Sequence, residues 1–213
     1  MGSTDAFGLG YHDVDGDPHT AVLVANMDAT AAWRATRRLR AWERQHLGLV
    51  AGERVLDVGC GCGEAALSLA LDLGPTGELV GVDASAAMLK VARERSGGVQ
   101  CAVRFSVGDA RSLVEADRSF DVVRSERTLQ WLSEPDEIVA EFARVLRPGG
   151  RLSLIDTDWS TLRLDVGDPT ITKMVAEGLS VEGNRPSNVG RRLSALATAA
   201  GCEVKTETTD TQI

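Results

Sequence analysis

Residues 54–65 read Arg-Val-Leu-Asp-Val-Gly-Cys-Gly-Cys-Gly-Glu-Ala, and this stretch decides the fold of the chain. Its first half is a short apolar run bounded by charges and glycine, which is the pattern of a strand buried on both faces. Three glycines then stand at alternate positions, and an apolar helical run follows them directly. A strand, a glycine turn and a helix in this order let a ligand lie against bare backbone and a helix N-terminus.

A carboxylate near the turn narrows the class of ligand, because a Gly-x-Gly pattern alone is common among nucleotide-binding proteins. Asp57 stands two positions before Gly59. A dinucleotide fold keeps this turn free of negative charge, since a pyrophosphate binds there. S-adenosylmethionine carries an ammonium and a sulfonium and no phosphate, so it suits a carboxylate at this place better than a dinucleotide does.

Length and composition indicate one ordinary globular domain. The chain has 213 residues, of which 43% are apolar and 25% charged, enough for one α/β domain with a sizeable core. The net charge of −8 argues against a nucleic-acid partner, which usually leaves a basic footprint. No apolar run approaches a membrane span and no signal-peptide core follows Met1, so we expect no membrane partner.

The four cysteines indicate a reduced compartment, and we therefore expect a cytoplasmic protein. Cys60 and Cys62 lack the further ligands at set spacing that a zinc site needs, so no metal is predicted. Two small side chains inside a glycine turn explain the pair better.

Strand and helix patterns alternate after residue 48, which predicts a doubly wound, mostly parallel α/β sheet. Residues 1–48 form an N-terminal arm and helices that cover the site, and 49–213 form the ligand-binding domain, with an insertion at about 157–186. Ser133 with Asp136 predicts an N-terminal helix cap. Six strands are predicted, at 54–58, 79–82, 103–107, 120–124, 151–155 and 203–208, and the helices include a short one near 112–116 and a late one at 189–200.

Polar or glycine residues stand at four strand ends, where an open parallel sheet binds its ligand. The glycine turn follows the first strand, and Asp83 ends the second, where it can accept both hydroxyls of a ribose. Asp109 and Ala110 follow the third strand, and 125–127 follow the fourth. Asp83 alone could be a turn residue and Asp109 a helix cap, but all four features in this order favour a ligand site.

Five motifs in succession resemble those of class I S-adenosylmethionine-dependent methyltransferases. The closest branch methylates small molecules: precursors of ubiquinone and menaquinone, or natural products. The resemblance covers about 54–158 and implies a Rossmann-like fold with S-adenosylmethionine as cofactor. The motifs are VLDVGCGCG at 55–63, GVDASAAML at 81–89, GDA at 108–110, SFDVV at 119–123 and RVLRPGGRL at 144–152.

The resemblance also implies roles for individual residues. Asp57 and the glycines would hold the methionine end, Asp83 the ribose, and Asp109 with Ala110 the adenine. Met88 would pack near the adenine or ribose, and Tyr11 would help to close the site. The complete predicted cofactor set is Tyr11, Asp57, Gly59, Cys60, Gly61, Gly63, Asp83, Ala84, Met88, Asp109, Ala110, Ser125 and Gln130.

Two departures from the family pattern stand out. Cys62 replaces the usual Thr, a small change that should leave the turn intact. The family's seventh, antiparallel strand has no counterpart before Ile213, and an unpaired edge strand invites pairing with another chain. Either the chain is trimmed, or something else completes the edge, such as a partner subunit, and we expect a homodimer through the exposed sheet edge in the second case.

Methyl transfer from a sulfonium is an in-line displacement, so an enzyme mainly aligns the nucleophile, excludes water and accepts a proton. No catalytic residue is assigned, and His12 is only a weak candidate for a base. A non-catalytic cofactor-binding or interaction module is the alternative, while Asp57 and the glycine spacing disfavour a nicotinamide oxidoreductase. The predicted substrate-side residues are Glu126, Arg127, Trp131, Asp156, Asp158 and Trp159.

Overall fold

A parallel sheet of five strands forms the centre of the computed structural model, which describes residues 14–16, 19–161, 167–174 and 188–211. The strand order is β3-β2-β1-β4-β5, and every pairing is parallel. The chain runs outward from β1 in one direction and then returns to its other side, so the order reverses between β1 and β4. The strands are β1 Arg54–Val58, β2 Glu78–Asp83, β3 Ala102–Val107, β4 Phe120–Glu126 and β5 Leu146–Ile155.

Helices cover both faces of the sheet. Two of them precede β1, and the connections between strands supply most of the others. The α-helices are α1 Thr20–Ala31, α2 Arg34–Leu47, α3 Glu64–Leu73, α4 Ala86–Arg95, α5 Pro135–Val145 and α6 Leu193–Ala199. Short 3-10 helices span Leu129–Trp131, Trp159–Thr161 and Val189–Arg192. None of the helices in the described ranges is long and apolar enough to cross a bilayer.

The side chains of β1 alternate between two cores, as the pleat of a strand requires. Leu56 packs in the cluster that contains Phe142 of α5, whereas Val55 packs with Leu69 of α3. Both β1 residues are fully buried. The prediction of a doubly wound sheet whose first strand is buried on both faces is therefore confirmed.

The predicted sixth strand is wrong, because residues 203–208 are described and form no strand. Val204 is the one apolar residue in this stretch, and it is 40% exposed. The stretch therefore has no apolar face to bury against a neighbour. It is held by side chains instead: Ser194 donates to Glu207, and Arg38 pairs with Asp210.

Two local predictions are also wrong. Residues 112–116 are not helical, since Glu141 of α5 accepts the Leu113 N–H and Arg144 donates to the Leu113 carbonyl, which holds the segment open. Helix α5 has no Ser133 cap. It begins after Glu134, whose φ is +60°, and Pro135 occupies its first position, where a missing N–H costs nothing.

Candidate cofactor-binding site

The glycine turn after β1 needs glycine at each of its three positions. Gly59, Gly61 and Gly63 have φ values of +76°, +51° and +75°, which favour glycine. A Cβ on Gly59 would lie 2.0 Å from Oγ1 of Thr128, and one on Gly61 would lie 2.4 Å from Cε of Met27. The bare backbone of this loop is therefore both conformationally required and closely approached.

Asp83 fixes the turn from the neighbouring strand end. Its carboxylate accepts the Gly61 N–H at 2.8 Å and the Ser85 N–H at 2.9 Å. Its carbonyl accepts the Gly108 N–H at 3.0 Å, which brings the end of β3 alongside. Burial raises the pKa of Asp83, against the lowering effect of those backbone donors. Each carboxylate oxygen keeps a second lone pair for a further donor such as a ribose hydroxyl.

On the predicted adenine side, the Asp109 carboxylate is already paired with a neighbouring arginine. Both oxygens of Asp109 accept from the Arg111 guanidinium, the shortest contact being 2.7 Å, and these bonds lower the Asp109 pKa. Ala110 is partly buried against the core, Ala84 is exposed, and Met88 is buried. Sequence reasoning did not anticipate Arg111 as a competitor for the Asp109 carboxylate.

A buried arginine lies behind the glycine turn and gathers three carboxylates. Arg124 is 1% exposed, and its guanidinium contacts Glu43, Asp57 and Glu126, each at 2.9 Å. Glu43 comes from α2 and also accepts from Ser153 of β5 at 2.7 Å. Charges this deep are retained only when they are paired, so the cluster joins four elements in one ionic network.

One oxygen of this network is left without a partner. Oδ2 of Asp57 accepts a hydrogen bond from Arg124. Oδ1 of Asp57 is buried and has no hydrogen-bond partner within the described part of the chain. Burial raises the Asp57 pKa to about 6, although Arg124 pulls it down. An orphaned carboxylate oxygen beside a glycine turn fits a ligand cation, and the ammonium of S-adenosylmethionine is such a group.

The charge balance around the turn agrees with that fit. Arg40 of α2 adds a second guanidinium by pairing with both Glu126 and Glu64. The lining of the cleft holds three guanidiniums, of Arg40, Arg124 and Arg127, against four carboxylates, of Asp28, Asp57, Glu64 and Glu126. The cleft is therefore short of one positive charge. Its lining comprises Met27, Asp28, Arg40, Asp57, Gly59, Cys60, Cys62, Glu64, Ala65, Arg124, Glu126 and Arg127.

The two cysteines of the turn act as small apolar side chains. Both are free thiols and both are buried. Burial raises the pKa of Cys60 well above its ordinary value and that of Cys62 to about 11, so neither is a thiolate near neutral pH. Within the described ranges, no group of three or more His, Cys, Asp or Glu side chains could hold a metal ion.

The predicted substrate-side residues fall into separate groups. Glu126, the last residue of β4, and Arg127, directly after it, line the cleft. Glu126 is already paired with Arg124 and Arg40, and attraction to those arginines lowers its pKa despite burial. Arg127 has a φ of +55° and donates to Oγ1 of Thr30 on α1 at 2.7 Å. It therefore joins the end of β4 to the covering helix.

One hydrogen-bonded group forms near the end of β5 and comprises Gln130, Asp156 and Trp159. The Trp159 Nε1–H donates to Oε1 of Gln130 at 2.7 Å, and Asp156 accepts the backbone N–H of Gln130 at 3.3 Å. Burial raises the pKa of Asp156 to about 7. Asp158 is not in this group, because it pairs with Arg191 at 2.7 Å.

Two further predicted residues have different surroundings. Ser125 donates its hydroxyl to the Val58 carbonyl at 2.9 Å, which ties β4 to β1 at the end of the sheet. Trp131 lies at the end of the 3-10 helix that follows β4 and is partly buried.

The chain before β1 lies over the glycine turn. Asp15 accepts the Ala86 N–H at 2.8 Å at the start of α4. Asp28 of α1 accepts from Nη1 and Nη2 of Arg95. Val14 and Leu23 pack in one cluster with Cys62 and Met88. Tyr11 and His12, predicted to close the site or serve as a base, lie outside the described residues.

Sequence reasoning missed the residues that complete the site, above all Arg124, Glu43 and Met27. A signal for Arg124 was present. It ends the apolar strand 120–124, and a charge in a strand buried on both faces requires a buried partner. No pattern identified that partner, because Glu43 lies on another element far along the chain.

Comparison with known proteins agrees with this geometry. Residues 56–154 match the family model described as "Methyltransferase domain". The chain is 42% identical over 130 residues to methyltransferase GfsG of Streptomyces halstedii, covering 60% of this chain and 45% of that protein. It is 37% identical over 130 residues to ubiquinone/menaquinone biosynthesis C-methyltransferase UbiE of Pseudomonas putida, covering 59% and 51%.

A solved structure extends the likeness beyond the central motifs. The YcgJ protein of Bacillus subtilis is 30% identical, with a TM-score of 0.57, covering 77% of this chain and 68% of that one. The chain spans between 45% and 53% of the length of the first curated relatives that it matches.

Proposed function

This chain belongs to the class I S-adenosylmethionine-dependent methyltransferases, and on that premise we propose that it transfers a methyl group to a small organic molecule. S-adenosylmethionine is the cofactor of this family, and when bound it supplies the methyl group on its sulfonium. The observation that carries the proposal is the orphaned Oδ1 of Asp57 beside a glycine turn whose cleft lacks one positive charge.

The proposed substrate class rests on the relatives. UbiE is called a ubiquinone/menaquinone biosynthesis C-methyltransferase, which supports a quinone precursor as acceptor. A natural product is the second acceptor class that we infer, from the motif resemblance alone. The net charge of −8 supports a small-molecule partner rather than a nucleic acid.

The chain's own residues would bind and orient rather than react. Asp57 and Asp83 would hold the two polar ends of the cofactor against the bare glycine backbone. Helix α1, with Met27 lying against Gly61, would exclude water from the cleft. Glu126 and Arg127, at the mouth of the same cleft, would face the acceptor. The proton acceptor stays unassigned, and His12 stays a prediction.

A labelled-methyl assay tests the proposed function. The purified chain is incubated with S-adenosylmethionine labelled in its methyl group and with short-chain quinol precursors or a panel of hydroxylated natural products. We expect label in at least one acceptor and a loss of about tenfold or more for Asp83→Ala, because a carboxylate accepting from a ligand hydroxyl contributes roughly 1.5–3 kcal/mol.

Asp72→Ala is the matched control, since Asp72 pairs with Arg44 on the outside of α3, away from the turn. It should transfer label as the unchanged chain does. Saturable cofactor binding without transfer to any acceptor would instead support a non-catalytic binding module.

Three further proposals complete this account. Residues 1–48 would form the cover of the site and 49–213 the cofactor-binding domain, with the contact of Met27 on Gly61 as support. The four free cysteines support a cytoplasmic location. A homodimer through the outer edge of β5 is proposed because β4 is its only strand partner among the described residues.

A further inference from the structure

In the ionic network behind the glycine turn, Arg124 holds only one of the two carboxylate oxygens of Asp57. Arg124 is the only guanidinium in the described ranges that contacts Asp57, and it does so through one nitrogen and one oxygen, at 2.9 Å. The other carboxylate oxygen is thereby left over. A bidentate pair would have used both oxygens, so the geometry divides Asp57 between the protein and something else.

The remaining contacts of Arg124 explain why its approach is one-sided. Glu43 accepts from Nε at 2.9 Å and from Nη2 at 3.0 Å, which is a bidentate grip on the far side of the guanidinium. Glu126 takes Nη2 as well, at 2.9 Å. Only Nη1 is left for Asp57. Glu43 therefore orients Arg124, and Arg124 orients Asp57.

We propose that Arg124 is a positioning residue for the cofactor: it holds Oδ2 of Asp57, so that Oδ1 is left to receive the cofactor's ammonium. Glu43 fixes Arg124 and so couples helix α2 to cofactor affinity. This inference rests on the proposed function, because it assumes that the ligand is S-adenosylmethionine.

Arg124 and Glu43 have opposite effects on the pKa of Asp57. Attraction to Arg124 lowers the Asp57 pKa, whereas repulsion from Glu43 and Glu126 raises it, and with burial the result is about 6. An ammonium is bound well only by the ionised carboxylate. Affinity for the cofactor should therefore fall as the pH drops through about 6. The charged or titratable groups around Asp57 come from every element at the cleft. They are Asp28 from α1, Arg40 and Glu43 from α2, Arg124 and Glu126 from β4, Arg127 after it, Cys60, Cys62 and Glu64 at the turn, and Asp83 at the end of β2.

The test is the pH dependence of binding between pH 5 and 7, measured by calorimetry with two ligands. S-adenosylmethionine carries the ammonium, while 5′-methylthioadenosine has the same nucleoside and a thioether but no amino-acid group. For the unchanged chain, we expect S-adenosylmethionine affinity to fall below about pH 6, by up to tenfold per pH unit, and methylthioadenosine affinity to change little.

Two variants should move that profile in opposite directions. Arg124→Gln removes the attraction, so the fall should begin at higher pH. Affinity for S-adenosylmethionine at pH 7 should drop about tenfold for each unit by which the Asp57 pKa rises above 7. Glu43→Gln keeps an acceptor for Arg124 and removes a repelling charge, so the fall should begin at lower pH. Because Glu43→Gln is nearly isosteric, it provides a test even where Arg124→Gln fails to fold.

Arg144→Gln is the matched control, since Arg144 pairs with Glu141 and Asp117 around α5, away from the cleft. It should leave both pH profiles in place. Glu43→Gln and Arg124→Gln profiles that superimpose on that of the unchanged chain would overturn this inference and leave the proposed function standing. A folded, unchanged chain that binds S-adenosylmethionine at no pH would overturn both.

Discussion

At the scale of single residues, Gly59 and Gly149 share a φ of +76°, but only Gly59 is packed against a neighbouring side chain. A Cβ on Gly59 would meet Oγ1 of Thr128 at 2.0 Å, whereas a Cβ on Gly149 would meet nothing within 4 Å. Comparing an alanine substitution at the two positions therefore separates the free-energy cost of a left-handed backbone from that of a steric clash.

We predict that Gly59→Ala lowers the free energy of unfolding more than Gly149→Ala does. Both variants should lose about 1–2 kcal/mol from the backbone conformation, and Gly59→Ala should lose about 1–3 kcal/mol more from overpacking. Thr128 is β-branched and stiff, so it cannot turn aside cheaply. Urea denaturation of both variants measures the difference, and equal losses would show that the Thr128 contact yields freely.

The sequence predicted some of these residues and not others, for a physical reason. Glycines that need positive φ, and carboxylates at strand ends, follow from local spacing, so the turn and Asp83 were predictable. The pairing of Arg124 with Glu43 depends on how α2 packs against the sheet, which no local pattern records. The capture of Asp109 by Arg111 is local, but spacing alone does not decide between a ligand and a side chain.

At the scale of elements, α1 and α2 are attached to the domain unequally. Helix α1 buries only Leu23, whereas α2 buries Ala35, Glu43 and Leu47 and reaches the ionic network through Glu43. The pair between Asp28 and Arg95 is a main polar attachment of α1 to α4, with both oxygens bonded at 2.8–2.9 Å.

We therefore predict that amide hydrogens exchange faster in α1 than in α2, and that Asp28→Asn accelerates exchange in α1 alone. The pair is partly exposed, so its loss should cost only about 0.5–1 kcal/mol, a two- to fivefold change in local opening. Hydrogen exchange followed by mass spectrometry measures both helices at once.

Asp136→Asn serves as the control, because it breaks the pair between Asp136 and Arg192 at the other side of the sheet. Exchange in α1 should not respond to it. Uniform acceleration of α1 and α2 by Asp28→Asn would show that the two helices open as one unit.

The two mispredicted elements have different causes. Segment 112–116 is held out of a helix by side chains of α5, which bond the Leu113 backbone. Segment 203–208 has a single apolar residue, Val204, so a strand there would have no apolar face to bury. Strand β1 came out as predicted, since its apolar side chains have a core to cover on both faces.

At the scale of the whole molecule, buried carboxylates make stability depend on pH in an unusual direction. The pKa values of Asp57 and Asp156 are raised from 3.8 to about 6 and about 7, chiefly by burial, and that of Asp83 is raised as well. Between pH 5 and 7, these three groups thus bind more protons in the folded chain than in the unfolded chain. Stability should rise as the pH falls from 7 to 5, by at most about 1.4 kcal/mol per pH unit for each proton taken up.

We predict that Asp156→Asn flattens the stability profile between pH 5 and 7, because it removes one of these proton sites. Asp158→Asn is the control: hydrogen bonds from Ser160 and Arg191 lower the Asp158 pKa despite desolvation, so its own effect lies below pH 4. Thermal unfolding at several pH values measures both. A profile for Asp156→Asn as steep as that of the unchanged chain would contradict the assignment.

The overall architecture was the most predictable feature. Alternating strands and helices with right-handed crossovers leave few topologies. The observed order β3-β2-β1-β4-β5 is one of the orders that a doubly wound sheet allows. Whether a sixth strand lies beyond β5 was not predictable in the same way. A strand needs a neighbour to pair with, and the pattern of 203–208 does not say whether there is one.

The most direct test of the central claim is calorimetric titration of S-adenosylmethionine into the folded chain at pH 7, where Asp57 is ionised. The account predicts saturable one-to-one binding that is weakened by Asp57→Asn and by Asp83→Ala, because both carboxylates hold the cofactor. A chain shown to be folded by circular dichroism that takes up no S-adenosylmethionine would contradict it.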